Sequence, residues 1–154
     1  MLGSVLLSNA NGINIPQPAK LKSIKEQVPT ILINDKEGGL SQIKEGIKIT
    51  QKIDDDTSKA LLLNQKGIYQ YLNAEYGKAV LSFDSAISIN RQYQLPARLV
   101  ENLNNKGYIY KVVGNYTIAL KHFQEAANIC DSLKLYKQMP ITLTNLGNIQ
   151  KLLK

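Results

Sequence analysis

The 154-residue chain contains very little cysteine and histidine, the residues on which disulfides, zinc sites and most catalytic triads depend. It has no tryptophan, one cysteine (Cys130) and one histidine (His122). A single cysteine excludes a disulfide within the chain, and this pair cannot supply the four ligands of a structural zinc site. With a single histidine, the sequence offers no preferred Ser-His-Asp triad. It also lacks the nucleotide-binding loop in which a glycine-rich stretch is followed by Lys-Ser or Lys-Thr. We therefore expect a protein that is not an enzyme and that uses no metal and no cofactor.

Runs of like charge and long apolar runs are also missing. The formal charge is +7, but the 19 Lys and Arg are dispersed from Lys20 to Lys154. This dispersal favours an ordinary solvated surface over a nucleic-acid partner. The acidic cluster at residues 54–56 lacks the alternating carboxylates of a calcium loop, so we interpret it as a helix-capping segment. The apolar start, MLGSVLLSNA, is too short to span a membrane.

Residues 1–18 are predicted to form an irregular segment ahead of the folded domain, with a Pro- and Asn-containing linker over residues 9–19. Ser8 and Ala10 have the spacing of a signal-peptidase site, although no Lys or Arg precedes them. The segment is therefore either the remnant of a secretory signal or a loosely docked terminus. The first alternative implies an exported or periplasmic protein, and the second, which we favour, a cytoplasmic one.

What the chain does contain is a repeat of 40 residues. Gly67, Gly107 and Gly147 lie 40 residues apart, and a leucine stands four positions before each of them. Placing residues 60–94 over 100–134 without a gap gives nine identities in 35 pairs. A fixed period of this length predicts a solenoid, in which units too small to bury their own apolar faces stack on one another. Further repeated pairs are Tyr76 and Tyr116, Ala79 and Ala119, Phe83 and Phe123, Ala86 and Ala126, and Ile89 and Ile129.

Helical spacing of the apolar residues, short turns and the absence of strand alternation predict an all-α chain of antiparallel helices. A first helix is expected from about Ala19, with a break or a new start near Pro29 and a turn over residues 35–39. The next helices are predicted at 40–53, 57–73, 76–93, 97–112, 116–135 and 140–154. The helical domain, 19–154, then consists of a degenerate repeat (19–56), two repeats (57–96 and 97–139) and a terminal helix (140–154).

The repeated motif resembles the tetratricopeptide repeat, a helix–turn–helix unit whose basic length is about 34 residues. Leucine stands where that family has tryptophan, its closing proline is absent, and the period is longer. In this last respect the chain is similar to the repeats of kinesin light chains, Pins-type adaptors and bacterial sensor and regulatory proteins. The resemblance implies a superhelix that binds a peptide or partner protein on its concave face. It is carried by Leu103-x2-Lys106-Gly107, Leu143-x2-Leu146-Gly147, Ala79-x3-Phe83 and Ala119-x3-Phe123.

Most repeated positions are interpreted as packing residues. Gly67 and Gly107 are expected where the two helices of a unit cross, because a larger side chain there would push the helices apart. Phe83 and Phe123 are expected to fill the wedge between successive units. The leucines four residues before the glycines, Leu63, Leu103 and Leu143, are expected in the core as well.

The opposite face of each first helix is predicted to line the concave surface. An amide stands two residues before each repeat glycine, at Gln65, Asn105 and Asn145. The resemblance implies that such amides hold the main chain of an extended peptide, whereas the alternative is that they satisfy a neighbouring loop or helix end. Lys111 and Lys151 on this face would favour an acidic ligand. The candidate binding residues are Asn64, Gln65, Ile68, Tyr71, Asn104, Asn105, Tyr108, Lys111, Asn145 and Asn148.

Two other functions are compatible with the same fold. Similar repeats form the input region of bacterial signalling kinases and transcription regulators, and stacking units can also build a self-assembling scaffold. The last predicted helix presents Ile141, Leu146, Ile149 and Leu152 with no second helix to cover them. We therefore expect either a fragment of a longer protein or self-association through this helix.

Overall fold

The structure, a computed structural model, describes residues 7–8 and 14–154, with side chains from Pro16 onward. The predicted fold class is confirmed: successive helices pack antiparallel in an all-α helix–turn–helix solenoid. Two short strands, β1 (Leu7–Ser8) and β2 (Asn14–Ile15), pair antiparallel ahead of the first helix. The helices are α1 (Gln17–Asn34), α2 (Lys36–Lys52), α3 (Asp56–Leu72), α4 (Tyr76–Gln92), α5 (Pro96–Val112), α6 (Tyr116–Ser132) and α7 (Met139–Leu152).

The helices form two layers. Each helix contacts its neighbour in the chain, and in addition α1 contacts α3, α3 contacts α5 and α5 contacts α7. The alternate helices α2, α4 and α6 approach one another less closely. Because the more closely spaced layer of a curved stack lies on its inner side, the odd-numbered helices form the inner layer and their free surface is the inner face.

Five turns share one geometry and recur every 20 residues. In each, the second residue after the helix has a positive φ, between 52° and 79°. The following N–H donates to the carbonyl five positions earlier, as Leu95 does to Asn90 at 2.8 Å. This Schellman arrangement satisfies carbonyls left free at the helix end. The left-handed residues are Asp54, Ala74, Gln94, Gly114 and Lys134.

Replacing Gln94 by glycine is expected to stabilise the protein by about 0.5–1 kcal/mol. A side chain in the left-handed region costs about 1–2 kcal/mol, of which glycine's greater unfolded-state entropy cancels a part. The converse change, Gly114→Ala, is made at the equivalent position of the next inter-helix turn. It is expected to lower the stability of the protein by about 1 kcal/mol. Urea titrations of both variants measure this, and a decrease in stability for Gln94→Gly would contradict the explanation.

The repeat glycines pack as predicted in the first two units. A Cβ atom on Gly67 would lie 2.6 Å from the ring of Phe83, and one on Gly107 would lie 2.7 Å from the ring of Phe123. Each phenylalanine is buried and packs against the next inner helix, Phe83 against Ile109 and Phe123 against Ile149. The absence of a side chain on the glycines therefore lets each aromatic ring enter the wedge between two units.

The third unit departs from this pattern, and the prediction that Leu143 belongs to the core is wrong. Leu103 is 1% exposed, whereas Leu143 is 51% exposed. The environment of Leu103 includes Ala126 and Cys130 of α6, but no helix of the described chain follows α7 to cover Leu143. Burial of this position therefore depends on the following helix and not on the repeat motif alone.

The predictions for the first two helices also need correction. α1 continues through Pro29 without a break, and α2 begins at Lys36, inside the predicted turn. An interior proline costs about 3 kcal/mol, but four residues of α1, among them Leu21 and Val28, are buried in one apolar cluster that holds both halves of the helix. At the start of α2, Asp35 Oδ1 accepts a hydrogen bond from the Gly38 N–H at 3.0 Å and caps the helix.

At the N-terminus, helix α1 and the strand Asn14–Ile15 occupy part of the predicted linker over residues 9–19. Most of the predicted signal remnant, including Ala10, lies outside the described residues. At the other end of the domain, α6 ends at Ser132 and a turn leads into α7, so the predicted helix over 116–135 is three residues too long.

Candidate functional site

An apolar groove with a volume of about 250 Å³ lies between α3 and α5 on the inner face. Phe83 and Ile109, both nearly fully buried, form its floor. Residues one and two turns apart on the same helix face line its walls, because i, i+3 and i+4 positions are neighbours on a helix. The residues of this α3–α5 groove are Ile68, Tyr71, Leu72, Phe83, Asn105, Tyr108 and Ile109.

Three tyrosines form an aromatic cluster at the groove. The rings of Tyr71 and Tyr108 meet edge to face, with centroids 5.6 Å apart and planes at 80°. Tyr76 of α4 adds a tilted contact to Tyr71 at 6.1 Å. Edge-to-face contacts stabilise aromatic pairs and hold the rings in fixed orientations. The cluster thus supplies a preformed apolar surface, and within it Tyr108, a residue that is 38% exposed, is accessible to a ligand.

One cation lies at the edge of this cluster. The Lys111 Nζ is 4.3 Å from the centroid of the Tyr108 ring, within the range of a cation–π interaction. Burial raises the pKa of Tyr71 above its usual value of about 10, and its hydrogen bond with Tyr108 raises this pKa further. Tyr71 is therefore neutral at physiological pH and does not offset the positive charge of Lys111.

The predicted amides bond mainly to one another across the inner layer. Asn64 Oδ1 accepts from Asn105 Nδ2 at 3.0 Å and from Asn102 Nδ2 at 2.7 Å. One repeat later, Asn104 Oδ1 accepts from Asn145 Nδ2 at 3.1 Å. Both inter-repeat bonds join residues 41 positions apart, so the same contact recurs along the stack. This geometry favours the alternative interpretation, in which the amides satisfy a neighbouring helix.

Asn104 is not a surface residue, and its predicted place on the concave face is wrong. It is 5% exposed, and its Nδ2 donates to the Val100 carbonyl and to Thr142 Oγ1 at 2.8 Å. Its side chain lies in the contact between α5 and α7. The period of the sequence places Asn104 beside Asn105, but only the packing of α7 shows which of the two is covered.

The structure brings four of the ten predicted residues together in the α3–α5 groove and places Lys111 at its edge. These four are Ile68, Tyr71, Asn105 and Tyr108. Asn64 and Asn145 take part in the amide bonds, Gln65 is half-buried, and Asn148 is exposed on α7. The groove floor, Phe83 and Ile109, was not predicted as part of the site. In the sequence, the only indication of this floor was the repeated phenylalanine. That residue is equally consistent with a position in the protein core that no ligand reaches.

The inner face changes in chemistry along the stack. In successive units the position of Ile68 is occupied by Tyr108 and Asn148, and that of Tyr71 by Lys111 and Lys151. The face is therefore apolar and aromatic at α3 and polar and basic at α7. A ligand that lies along it would meet two different environments within two repeats.

No helix among residues 16–154 has the length and apolarity to cross a bilayer. Within the same residues, no three His, Cys, Asp or Glu side chains lie close enough together to hold a metal ion. Cys130 is fully buried, and its sulfur lies 3.9 Å from Thr142 Oγ1.

Comparison of the sequence with known protein families and with curated proteins finds no match to either.

Proposed function

We propose that the chain is a protein-interaction module of the tetratricopeptide-repeat type, which binds a peptide or partner protein on its inner face. The observation that carries the proposal is the α3–α5 groove, an apolar cavity open to the inner face and walled by Tyr71 and Tyr108. Aromatic residues in a pocket are the typical anchors of protein interfaces, because they bury much apolar area at little conformational cost. The 40-residue repeat with its Gly, Ala and Phe positions supports the family assignment.

The dimensions of the groove favour a side-chain anchor over a whole small molecule. Its volume of about 250 Å³ lies below the range of roughly 300–1,000 Å³ typical of small-molecule pockets. Its floor is formed by Phe83 and Ile109, which suits an aliphatic or aromatic side chain. Asn105 at the wall keeps one amide hydrogen and its Oδ1 for a ligand main chain after donating to Asn64.

Charge on the inner face suggests the orientation of the ligand. Lys111 at the groove edge and Lys151 one repeat further on occupy equivalent positions. A peptide with its apolar anchor in the α3–α5 groove would extend towards α7 past both lysines. We therefore expect the preferred ligand to carry acidic residues on the α7 side of its anchor, with affinity that decreases as salt increases.

Tyr108→Ala is expected to weaken ligand binding at least about tenfold, as truncation of an aromatic anchor typically does. The probe is a displayed library of random 12-residue peptides, selected on the full chain and then measured individually. Tyr136→Ala is the matched control, because Tyr136 is 74% exposed and lies outside the groove. Tyr108 is better suited than Asn105 or Asn145, since these asparagines also link helices and their loss would change stability.

The proposal predicts that selected peptides share an apolar residue and lose affinity for Tyr108→Ala but not for Tyr136→Ala. Melting temperatures of both variants are measured alongside, to show that the fold is retained. Selected peptides that bind Tyr108→Ala as tightly as the unmodified chain would show that the groove is not the site. A selection that yields no specific peptide would count against peptide binding altogether.

A further inference from the structure

A small polar pocket lies between α3, α4 and α5, within the middle of the stack. It is formed by the first halves of α3 and α5, whereas the α3–α5 groove is formed by their second halves. Its volume is about 20 Å³, which is enough for one polar group of the size of a water molecule. The polar lining residues of this Asn90 pocket are Asn64, Asn90, Arg98, Glu101 and Asn102.

Asn90 is buried at this pocket with one of its hydrogen-bonding atoms unused. It is 1% exposed, and its Nδ2 donates to Asn102 Oδ1 at 2.6 Å. Asn102 Nδ2 in turn donates to Asn64 Oδ1 at 2.7 Å. Within residues 16–154, no donor forms a hydrogen bond with Asn90 Oδ1. A buried acceptor without a donor lowers stability, and a donor from a bound molecule would remove that cost.

The repeat itself does not require these buried asparagines. Forty residues further on, the position of Asn90 is occupied by Cys130, and that of Asn102 by Thr142. Cys130 and Thr142 are both fully buried, and Thr142 Oγ1 accepts a hydrogen bond from Asn104 Nδ2 at 2.8 Å. The same helix contact is therefore packed in the next unit by two smaller side chains. Packing alone does not explain a pair of buried asparagines beside a cavity.

The charged groups at the pocket select a neutral ligand. Arg98 donates from Nη1 to the Thr57 carbonyl at 3.0 Å, which uses one of the five N–H donors of its guanidinium. Glu101 lines the pocket from an exposed position and carries the opposite charge. A carboxylate ligand has no N–H for Asn90 and is repelled by Glu101. An ammonium ligand has no acceptor for Arg98 and is repelled by it.

We propose that the Asn90 pocket binds a primary carboxamide group. Such a group is neutral and has two N–H donors and one carbonyl acceptor. Its N–H groups donate to Asn90 Oδ1 and to the Glu101 carboxylate, and its carbonyl oxygen accepts from the Arg98 guanidinium. The group belongs either to a free small molecule or to the asparagine or glutamine side chain of a peptide. The proposal does not depend on peptide binding in the α3–α5 groove, and either can fail without the other.

The probe for this proposal is acetamide, a small primary carboxamide, titrated into the isotope-labelled full chain. Two-dimensional NMR follows the side-chain NH2 signals of Asn90 and Asn102. We expect saturable shifts of both, with a dissociation constant in the millimolar range. N,N-Dimethylacetamide keeps the carbonyl and lacks the N–H groups, so it should bind at least about tenfold more weakly. Acetate and methylammonium should be weaker as well, because each matches only one of the two charged groups.

Two protein variants make the test specific. The double change Asn90→Cys and Asn102→Thr copies the pair that the next unit already packs at these positions. It removes the free acceptor, so acetamide should bind at least about tenfold more weakly, as followed on the backbone signals of Leu61 and Glu101. Asn128→Cys is the control, because Asn128 is exposed on α6, outside the pocket. It should leave the affinity unchanged. Reducing conditions protect the new thiols, and melting temperatures show that both variants are folded.

A second pair of probes identifies the source of the carboxamide. Free glutamine carries an ammonium and a carboxylate beside its side-chain amide, whereas N-acetyl-glutamine-N-methylamide has peptide bonds in their place. Tighter binding of free glutamine would assign the pocket to a free amino acid. Tighter binding of the blocked compound would assign it to the side chain of a peptide.

Three results would overturn the proposal. The first is the absence of saturable shifts with acetamide up to about 100 mM, which would leave a water molecule as the occupant of the pocket. The second is an equal response to N,N-dimethylacetamide, since binding would then not use the Asn90 acceptor. The third is equal affinity of acetamide for the unmodified chain and for the double variant at Asn90 and Asn102.

Discussion

Phe123→Ala is expected to lower the free energy of unfolding by about 3–5 kcal/mol, the usual range for removal of a fully buried aromatic ring. The Phe123 side chain is 0% exposed and fills the space between α5, α6 and α7. Its ring also lies on Gly107, so its loss leaves a cavity that neither helix can close without moving its partner. Since single domains are stable by about 5–15 kcal/mol, this one change removes a large share of the total.

The loss should be local, because each unit of a solenoid contacts only its neighbours. Hydrogen exchange is expected to accelerate most in α5, α6 and α7 and least in α1 and α2. Urea unfolding measures the total effect, and Phe123→Leu is the control that retains most of the volume. A decrease of less than about 1 kcal/mol, or equal acceleration of exchange in all seven helices, would contradict this account of the packing.

Alanine substitutions at the repeat glycines are expected to have opposite effects in different units. Gly107→Ala should destabilise by about 1–3 kcal/mol, because its Cβ would lie 2.7 Å from the Phe123 ring and force the helices apart. Gly147→Ala should be neutral or stabilising by up to about 1 kcal/mol, because the site is open and alanine is the better helix former.

The comparison is well controlled, since both glycines lie in helix interiors, in the same Leu-x3-Gly context and one repeat apart. Gly67→Ala serves as a replicate of Gly107→Ala, because its Cβ would meet the Phe83 ring at 2.6 Å. Thermal and urea unfolding of the three variants measure the effect. Equal destabilisation in all three would mean that backbone flexibility, and not contact with the phenylalanine, explains the glycines.

Much of the fold could be predicted from the sequence because the repeat is visible twice. Phe83 and Phe123 occupy equivalent positions, so their shared role between units could be inferred from spacing alone. In the first unit, where no clear copy guides the interpretation, prediction was poorer. Pro29 indicated a helix break by its local preference, and only the buried face of α1 shows why the helix continues.

The candidate site was predictable in its position and not in its details. The face that contains Tyr71, Tyr108 and Lys111 follows from helical spacing relative to the packing leucines. The amides on the same face could equally hold a ligand or a neighbouring helix, because a carboxamide bonds to either. The distances from Asn105 to Asn64 and from Asn145 to Asn104 show that both asparagines are engaged between repeats.

The sequence by itself determined the helices from α3 onward, their 40-residue register and the residues that make them stack. These properties depend on neighbours three or four positions apart and on a motif that recurs along the chain. The tertiary structure alone decided that Asn104 is buried and that Tyr71 and Tyr108 border one groove. Both depend on which side chains a neighbouring helix covers. A periodic sequence repeats the same motif in every unit and does not specify that coverage.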